Sequence, residues 1–329
     1  MQRIAILDDY QDVALSCADW GSLPGRPEIT VFNEHIARHE TVAAALRPFD
    51  VIVAMRERTS FGAGLLSLLP DLRLLVTTGM ANAAIDLAAA RQHGVTVCGT
   101  GGSPTATPEL TWGLILALAR HIPEEDRRMR SVAGAGGAAT GARGGWQRTI
   151  GTGLAGKRLG IVGLGRIGQR IAEFGRVFGM TVSAWSQNLD PARAREAGAE
   201  PVSKEQLFSS ADVVTVHYKL SERSTGLIGA AELSMMKRSA YLVNASRGPL
   251  VERGALLAAL RSGQIAGAAL DVYDTEPLPL GDPLRTAPNT VLTPHLGYVT
   301  DDTYRVFYGD AVEDIVAFAA GAPIRVLTP

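Results

Sequence analysis

Short β-branched and aliphatic runs alternate with Ala/Leu-rich stretches along the whole chain. In the first hundred residues "RIAILDD", "ITVFN", "DVIVAM", "LRLLVTT" and "VTVCG" read as five strands. Between them "TVAAALRP" and "AAIDLAAARQHG" have helical spacing, and Gly94 falls where a helix C-cap belongs. "SPTATPELTWGLILALARHIP" opens on Pro and Thr, continues as an apolar helix to Arg120, and reads as a connection into a second unit. There the pattern resumes with "KRLGIVGLG", "TVSAW", "ADVVTVHY", "AYLVNAS", "AGAALDVY" and "TVLTPH", and "DDTYRVFYGDAVEDIVAFAAG" closes the series as a long amphipathic helix. Residues 131–145, "SVAGAGGAATGARGG", carry no apolar period, so their composition predicts a mobile loop, with a lid as the functional alternative. Strands alternating with helices predict an α/β fold with parallel sheets covered on both faces.

Composition narrows the function classes. A chain of 329 residues exceeds what a single core usually supports, so two domains are expected. The 32 Lys and Arg nearly balance the 33 Asp and Glu, which gives no net field to attract nucleic acid or an anionic membrane. Two cysteines, Cys17 and Cys98, argue against a disulfide framework and fit a reducing compartment. "MQRIAILDDYQDV" does not read as a signal peptide, and "LTWGLILALA" is too short to span a bilayer, so a cytoplasmic protein is expected. No metal-ligating cluster is expected.

The most specific local signal is "RLGIVGLGRIGQRIAEFGRVFGMTVSAW", in which a strand runs into Gly163-Leu164-Gly165-Arg166-Ile167-Gly168 and a helix follows. Gly163 suits the tight turn, Gly165 lets backbone amides approach a pyrophosphate, and Gly168 lets helix and strand pack closely. The helix N-terminus adds partial positive charge for phosphates. An acidic residue usually ends the next strand; here Ser186, Gln187 and Asn188 follow Trp185. Asp190, before Pro191, reads as the cap of the helix that follows. Without an acid at 186 there is no repulsion of a ribose 2′-phosphate, and Arg166 is the nearest cation. NADP(H) is therefore expected, with NAD(H) as the alternative.

Three further segments stand at predicted strand ends: "LVNASRGPLVERGALLAAL" with Arg247, "AALDVYDTEP" with Asp271 and Glu276, and "TVLTPHLG" with His295. In open parallel sheets ligands bind outside the carboxyl ends of the strands, which predicts one crevice for all four residues beside the glycine loop. With "LGIVGLGRIGQRIA", "HYKLSERSTGLI", "LVNASRGPLVERGAL", "GAALDVYDTEP" and "LTPHLG" in order and at spacing, the chain resembles the D-isomer-specific 2-hydroxyacid dehydrogenase family over nearly its whole length.

That resemblance implies two Rossmann-like or flavodoxin-like α/β domains with parallel sheets and an interdomain cleft. The substrate domain would be residues 1–103 plus 296–329, and the dinucleotide-binding domain 104–295. It implies hydride transfer between a nicotinamide cofactor and a small 2-oxo acid or D-2-hydroxy acid. Arg247 would fork onto the substrate carboxylate and carbonyl, His295 would be the general acid and base, and Glu276 would orient His295 and favour its protonated form. Cofactor contacts would come from Gly163, Gly165, Arg166, Ile167, Gly168, Ser186, Gln187, His217, Thr225, Ala245, Arg247, Asp271, His295 and Gly297. Helix-capping is the rival reading for Asp271, and Lys219 stands where relatives commonly have Pro. On the substrate side "TTGMANAAID" and "AMRERTS" supply Met55, Arg56, Gly79 and Met80 as candidates, with Gly79 and Met80 as amide donors and Arg56 or Arg58 for a second anionic group. Ala81 offers no polar reach where relatives often carry a polar or charged group. The expected partners are a small-molecule 2-oxo acid of the glyoxylate or hydroxypyruvate kind and a second copy in a homodimer. A non-catalytic, dinucleotide-sensing corepressor-like relative is the alternative class.

Overall fold

The computed structural model describes residues 3–36, 38–131 and 147–329. The Gly/Ala-rich stretch expected to be mobile falls, from residue 132 to 145, outside the described residues. The chain divides into two units, Met1–Ser103 with Tyr298–Pro329, and Pro104–Gly297. The second crossing comes two residues later than the sequence suggested, because Asp271 of the second unit accepts hydrogen bonds from the amides of Leu296 (2.7 Å) and Gly297 (2.8 Å).

The first unit holds five parallel strands: β1 (Arg3–Ile6), β2 (Glu28–Val31), β3 (Val51–Ala54), β4 (Leu74–Thr77) and β5 (Thr96–Gly99). Their order, β2-β1-β3-β4-β5, is the flavodoxin-like arrangement. Alternate side chains supply two buried faces. Ala5, Ile52, Leu75 and Val97 pack with Val42, Leu46, Phe61 and Leu65. Ile4, Ile6, Val51, Val53, Leu74 and Val76 pack beneath Tyr304, Phe307, Tyr308 and Ile315 of the helix Asp301–Ala319. Burial on both faces explains why these strands read as unbroken apolar runs rather than alternating ones. Gly94, at φ +71°, follows the helix Leu87–Gln92 and donates to Arg91 O, the αL ending that glycine allows.

The second unit holds seven parallel strands: β6 (Arg158–Val162), β7 (Thr181–Trp185), β8 (Glu200–Pro201), β9 (Val213–Val216), β10 (Tyr241–Asn244), β11 (Gly267–Leu270) and β12 (Thr290–Leu292). Their order is β12-β11-β10-β9-β6-β7-β8. From β6 the chain winds outward through β7 to β8, then returns to β9 on the other side of β6. The strand order thus reverses between β6 and β9, where doubly wound sheets form their ligand crevice. Because every pairing is parallel, the loops after β6, β7, β9, β10, β11 and β12 all leave the same edge. Asp190 caps the helix Pro191–Glu196 as expected, its Oδ1 accepting from Ala192 N at 2.9 Å.

Candidate active site

The glycine turn after β6 sits at the switch point. Gly163 has φ +95°, and a Cβ there would lie 2.4 Å from His217 O, so the β9 loop packs directly on this turn. A Cβ on Gly168 would lie 2.3 Å from Gly163 O, which shows how closely the helix Arg166–Val177 approaches the turn. Gly165 differs: a Cβ there meets nothing within 4 Å, and no side chain caps the helix it precedes. The loop therefore has open space in front of a positively polarised helix end, which fits the pyrophosphate of a dinucleotide. Arg166 and Ile167 open this helix; Arg166 is exposed and makes no ion pair among the described residues.

Ser186, after β7, accepts the amide proton of Leu164 with its Oγ at 3.3 Å, tying the strand end to the glycine loop. Gln187 and Asn188 are exposed. Behind them Trp185 stacks on Tyr218 with ring centroids 6.2 Å apart. Lys204, 5.6 Å from the Trp185 ring, is committed to Glu232 and to Leu227 O, each at 2.7 Å. His217 Nε2 lies 2.9 Å from Thr215 Oγ1, while its Nδ1 is buried without a hydrogen-bond partner among the described residues. Burial pushes its pKa down to about 3, so the ring is neutral near pH 7, which suits a loop residue and not a proton donor. Thr225 is exposed and donates to Ser221 O.

The loop after β10 is knitted by Asn244, whose Nδ2 donates to Arg247 O (2.9 Å) and whose Oδ1 accepts from Ser246 N (3.1 Å). Ser246 Oγ donates to Tyr218 O, linking the β9 and β10 loops. Ala245 is buried, and Arg247 donates from Nη1 to Ser246 O at 2.7 Å. Gly248 has to be glycine: a Cβ would lie 2.1 Å from the carbonyl carbon of Tyr273. The Arg247 loop thus rests on the backbone of "DVYDTEP", the segment that carries Glu276.

Glu276 Oε2 and His295 Nδ1 are 2.5 Å apart, and Glu276 Oε1 accepts from Tyr273 N at 2.9 Å. The His295 side chain is 17% exposed. Asp271, fully buried, accepts from Thr293 Oγ1 (2.6 Å) and Leu296 N on one oxygen and from Gly297 N on the other. Burial pushes its carboxyl up against the opposing pull of those donors. It caps no helix; it fastens the turn that presents His295.

In the first unit several expectations change. Met55 is 2% exposed, in the core beneath the helix Asp301–Ala319, and its sulfur accepts from Thr78 Oγ1, so its side chain does not reach a ligand. The amide of Gly79 is given to Thr100 Oγ1 at 2.8 Å and so is engaged within the unit, whereas the next residue, Met80, is 53% exposed. Arg58 donates to Tyr298 OH from Nε (2.9 Å) and Nη2 (2.6 Å) and lies 4.7 Å from the Tyr10 ring centroid, which makes it a packing cation. Arg56, at φ +49°, donates from Nη1 to Thr78 O, and a Cβ on Gly79 would fall 1.9 Å from that nitrogen. Asn82 Nδ2 holds the Arg56 carbonyl at 2.6 Å and Thr77 Oγ1 at 2.8 Å. Thr100, Asn82, Tyr273 and Thr293 were not singled out from the sequence. Tyr273 alone had a signal, its place between Asp271 and Glu276.

The strand order, the glycine turn at the switch point and its open helix end define a dinucleotide-binding, Rossmann-like α/β protein. Residues 112–297 match the family model described as D-isomer specific 2-hydroxyacid dehydrogenase, NAD binding domain, and the chain belongs to that family. It is 40% identical over 286 residues to a glyoxylate reductase of Aeropyrum pernix, covering 86% of this chain and 84% of that one. It is 35% identical to a D-3-phosphoglycerate dehydrogenase of Bacillus subtilis over 85% of its own length but only 51% of that relative's. Among solved structures, a phosphoglycerate oxidoreductase of Vibrio cholerae superposes with a TM-score of 0.90 at 39% identity, covering 98% of this chain and all of the other. The family makes the chain a nicotinamide-dependent oxidoreductase of 2-hydroxy acids. No helix among the described residues is long and apolar enough to cross a membrane.

Proposed function

We propose that the protein interconverts a small 2-oxo acid and its D-2-hydroxy acid, with His295 as the proton donor and acceptor. The Glu276–His295 contact at 2.5 Å, on loops leaving the same sheet edge as the glycine turn, is the observation that carries this reading. Glu276 engages Nδ1 and fixes the ring, so Nε2 is the nitrogen that exchanges a proton with the substrate oxygen. Arg247 binds the substrate carboxylate and polarises the carbonyl oxygen, a task for which a planar fork suits better than an ammonium. The nicotinamide supplies or takes up the hydride when bound. In reduction, imidazolium gives its proton to the carbonyl oxygen as the carbon gains hydride, leaving neutral imidazole; oxidation reverses each transfer. In the first unit, Met80 N and Arg56 are the groups we assign to anionic parts of the substrate.

We infer a preference for NADP(H). Ser186, Gln187 and Asn188 carry no charge to repel a 2′-phosphate, and Arg166 has a guanidinium that no described acid occupies. The test is a screen of 2-oxo acids, glyoxylate and hydroxypyruvate included, against both reduced cofactors. Arg247→Ala is expected to lower kcat/KM by two or more orders of magnitude, on the order of 3 kcal/mol of transition-state stabilisation, while dinucleotide affinity holds. Dinucleotide binding without turnover across the panel would overturn the enzymatic reading in favour of a sensor.

A further inference from the structure

His295 has a backbone φ of +56°, in the left-handed region. A residue with a side chain is strained there and stays only where its neighbours over-determine it. Asp271 supplies three of the constraints, through Thr293, Leu296 and Gly297. Tyr273 supplies a different kind, because it bonds both to Glu276 and to the backbone at Thr293 that leads into His295. Its amide donates to Glu276 Oε1 at 2.9 Å. Its hydroxyl donates to the carbonyl of Thr293 at 2.9 Å, two residues before His295, with Leu270 O at 3.2 Å as a second acceptor. The ring is buried, and burial together with the carboxylates of Asp271 and Glu276 pushes the phenol above its ordinary range, so the hydroxyl remains a donor.

We propose that Tyr273 is a positioning residue: its hydroxyl fixes the Thr293 peptide and so holds the His295 ring in line with the Glu276 carboxylate. The proposal rests on the reading of Glu276 and His295 as the proton-transfer pair. A phenylalanine at this position would preserve the ring packing and the amide bond to Glu276 and lose the hydroxyl's ties to Thr293 O and, more weakly, Leu270 O. The ring of His295 would then have more freedom relative to Glu276 with no change in the chemistry of either group.

The test is Tyr273→Phe in the full chain, read by proton NMR as well as by kinetics. A proton held between His295 Nδ1 and Glu276 Oε2 at this separation resonates well downfield of ordinary amides, and His295→Asn assigns it by its disappearance. In Tyr273→Phe that resonance is expected to broaden or move upfield. kcat is expected to fall roughly tenfold while the dinucleotide Kd stays within about twofold. A resonance and kcat equal to the native protein's overturn the proposal. Should Tyr273→Phe not fold, Tyr273→Met, which also fills the site without a hydroxyl, repeats the measurement; failure of both to fold makes the hydroxyl a support of the core and overturns the proposal too. A native protein that turns over no 2-oxo acid defeats the catalytic reading, and the resonance then decides the positioning by itself.

Discussion

Gly165 and Gly168 are three residues apart, one the cap and the other in the first turn of the helix Arg166–Val177, yet the structure separates what each is for. A Cβ at Gly168 would stand 2.3 Å from Gly163 O, well inside the 3.0 Å that real Cβ atoms keep, and its obstacle is backbone that cannot rotate away. Overpacking against an immovable atom costs about 2–3 kcal/mol, and the helix propensity gained on replacing glycine by alanine returns about 1 kcal/mol. The net loss of about 1–2 kcal/mol in a unit of this size lowers its Tm by about 2–8 °C. At Gly165 the backbone is extended, φ is −80°, and no atom lies within 4 Å, so alanine fits without strain. Its methyl group instead enters the space through which a pyrophosphate reaches the helix end. Gly165→Ala should therefore keep the native Tm within about 1 °C, as a substitution that meets no neighbour does, while weakening dinucleotide binding at least about tenfold. Thermal unfolding and fluorescence titration with NADPH, run on both variants, measure the two effects. Native affinity in Gly165→Ala, or a Gly168→Ala protein as stable as the native one, would refute the division of labour.

Two further changes follow from the same kind of reasoning. Ser186→Asp places a carboxylate beside Leu164 N at the end of β7, so the ratio of kcat/KM with NADH to that with NADPH should rise by about tenfold or more; an unchanged ratio would show that this strand end does not choose the cofactor. In the first unit Asp314 is fully buried, accepts from Arg325 Nε at 3.0 Å on one oxygen, and has no partner among the described residues on the other. Burial pushes its pKa from 3.8 up to about 7. Its folded value is raised, so its stabilising contribution is complete below pH 4 and is lost as pH climbs to about 7. Asp314→Asn, which cannot ionise, should gain Tm over the native protein across that window and hold a constant advantage above it. A difference in Tm that does not change with pH would count against a buried charge here.

Much of the fold could be read from the chain because both sheets bury two faces, so strands such as "DVIVAM" and "ADVVTV" stand out as apolar runs. β8 escaped notice for the opposite reason: Glu200–Pro201 is a two-residue edge strand built from an acid and a proline. At the candidate site, sequence order placed Arg247, Asp271, Glu276 and His295 at strand ends, and parallel topology puts all those ends on one edge. What spacing could not supply was the direction of each polar atom. Asp271 turns both oxygens toward the chain that follows β12, and Gly79 spends its amide on Thr100 just past the end of β5, contacts made between neighbouring strand ends and invisible to local pattern. Met55 misled because an apolar residue after a strand can turn inward or outward, and here the helix Asp301–Ala319 covers it.

That helix also leaves the ribosome only after the whole of the second unit. The sheet face it covers, formed by Ile4, Ile6, Val51, Val53, Leu74 and Val76, is synthesised before the whole of Pro104–Gly297. The second unit is contiguous and can fold as soon as it emerges, while the first must wait with an uncovered aliphatic face for its lid of Tyr304, Phe307, Tyr308 and Ile315. A nascent chain stalled just short of Asp301 is accordingly a folded nucleotide-binding body trailing a sticky, half-built sheet, and it is at this stage of synthesis that the protein most needs protection from aggregation.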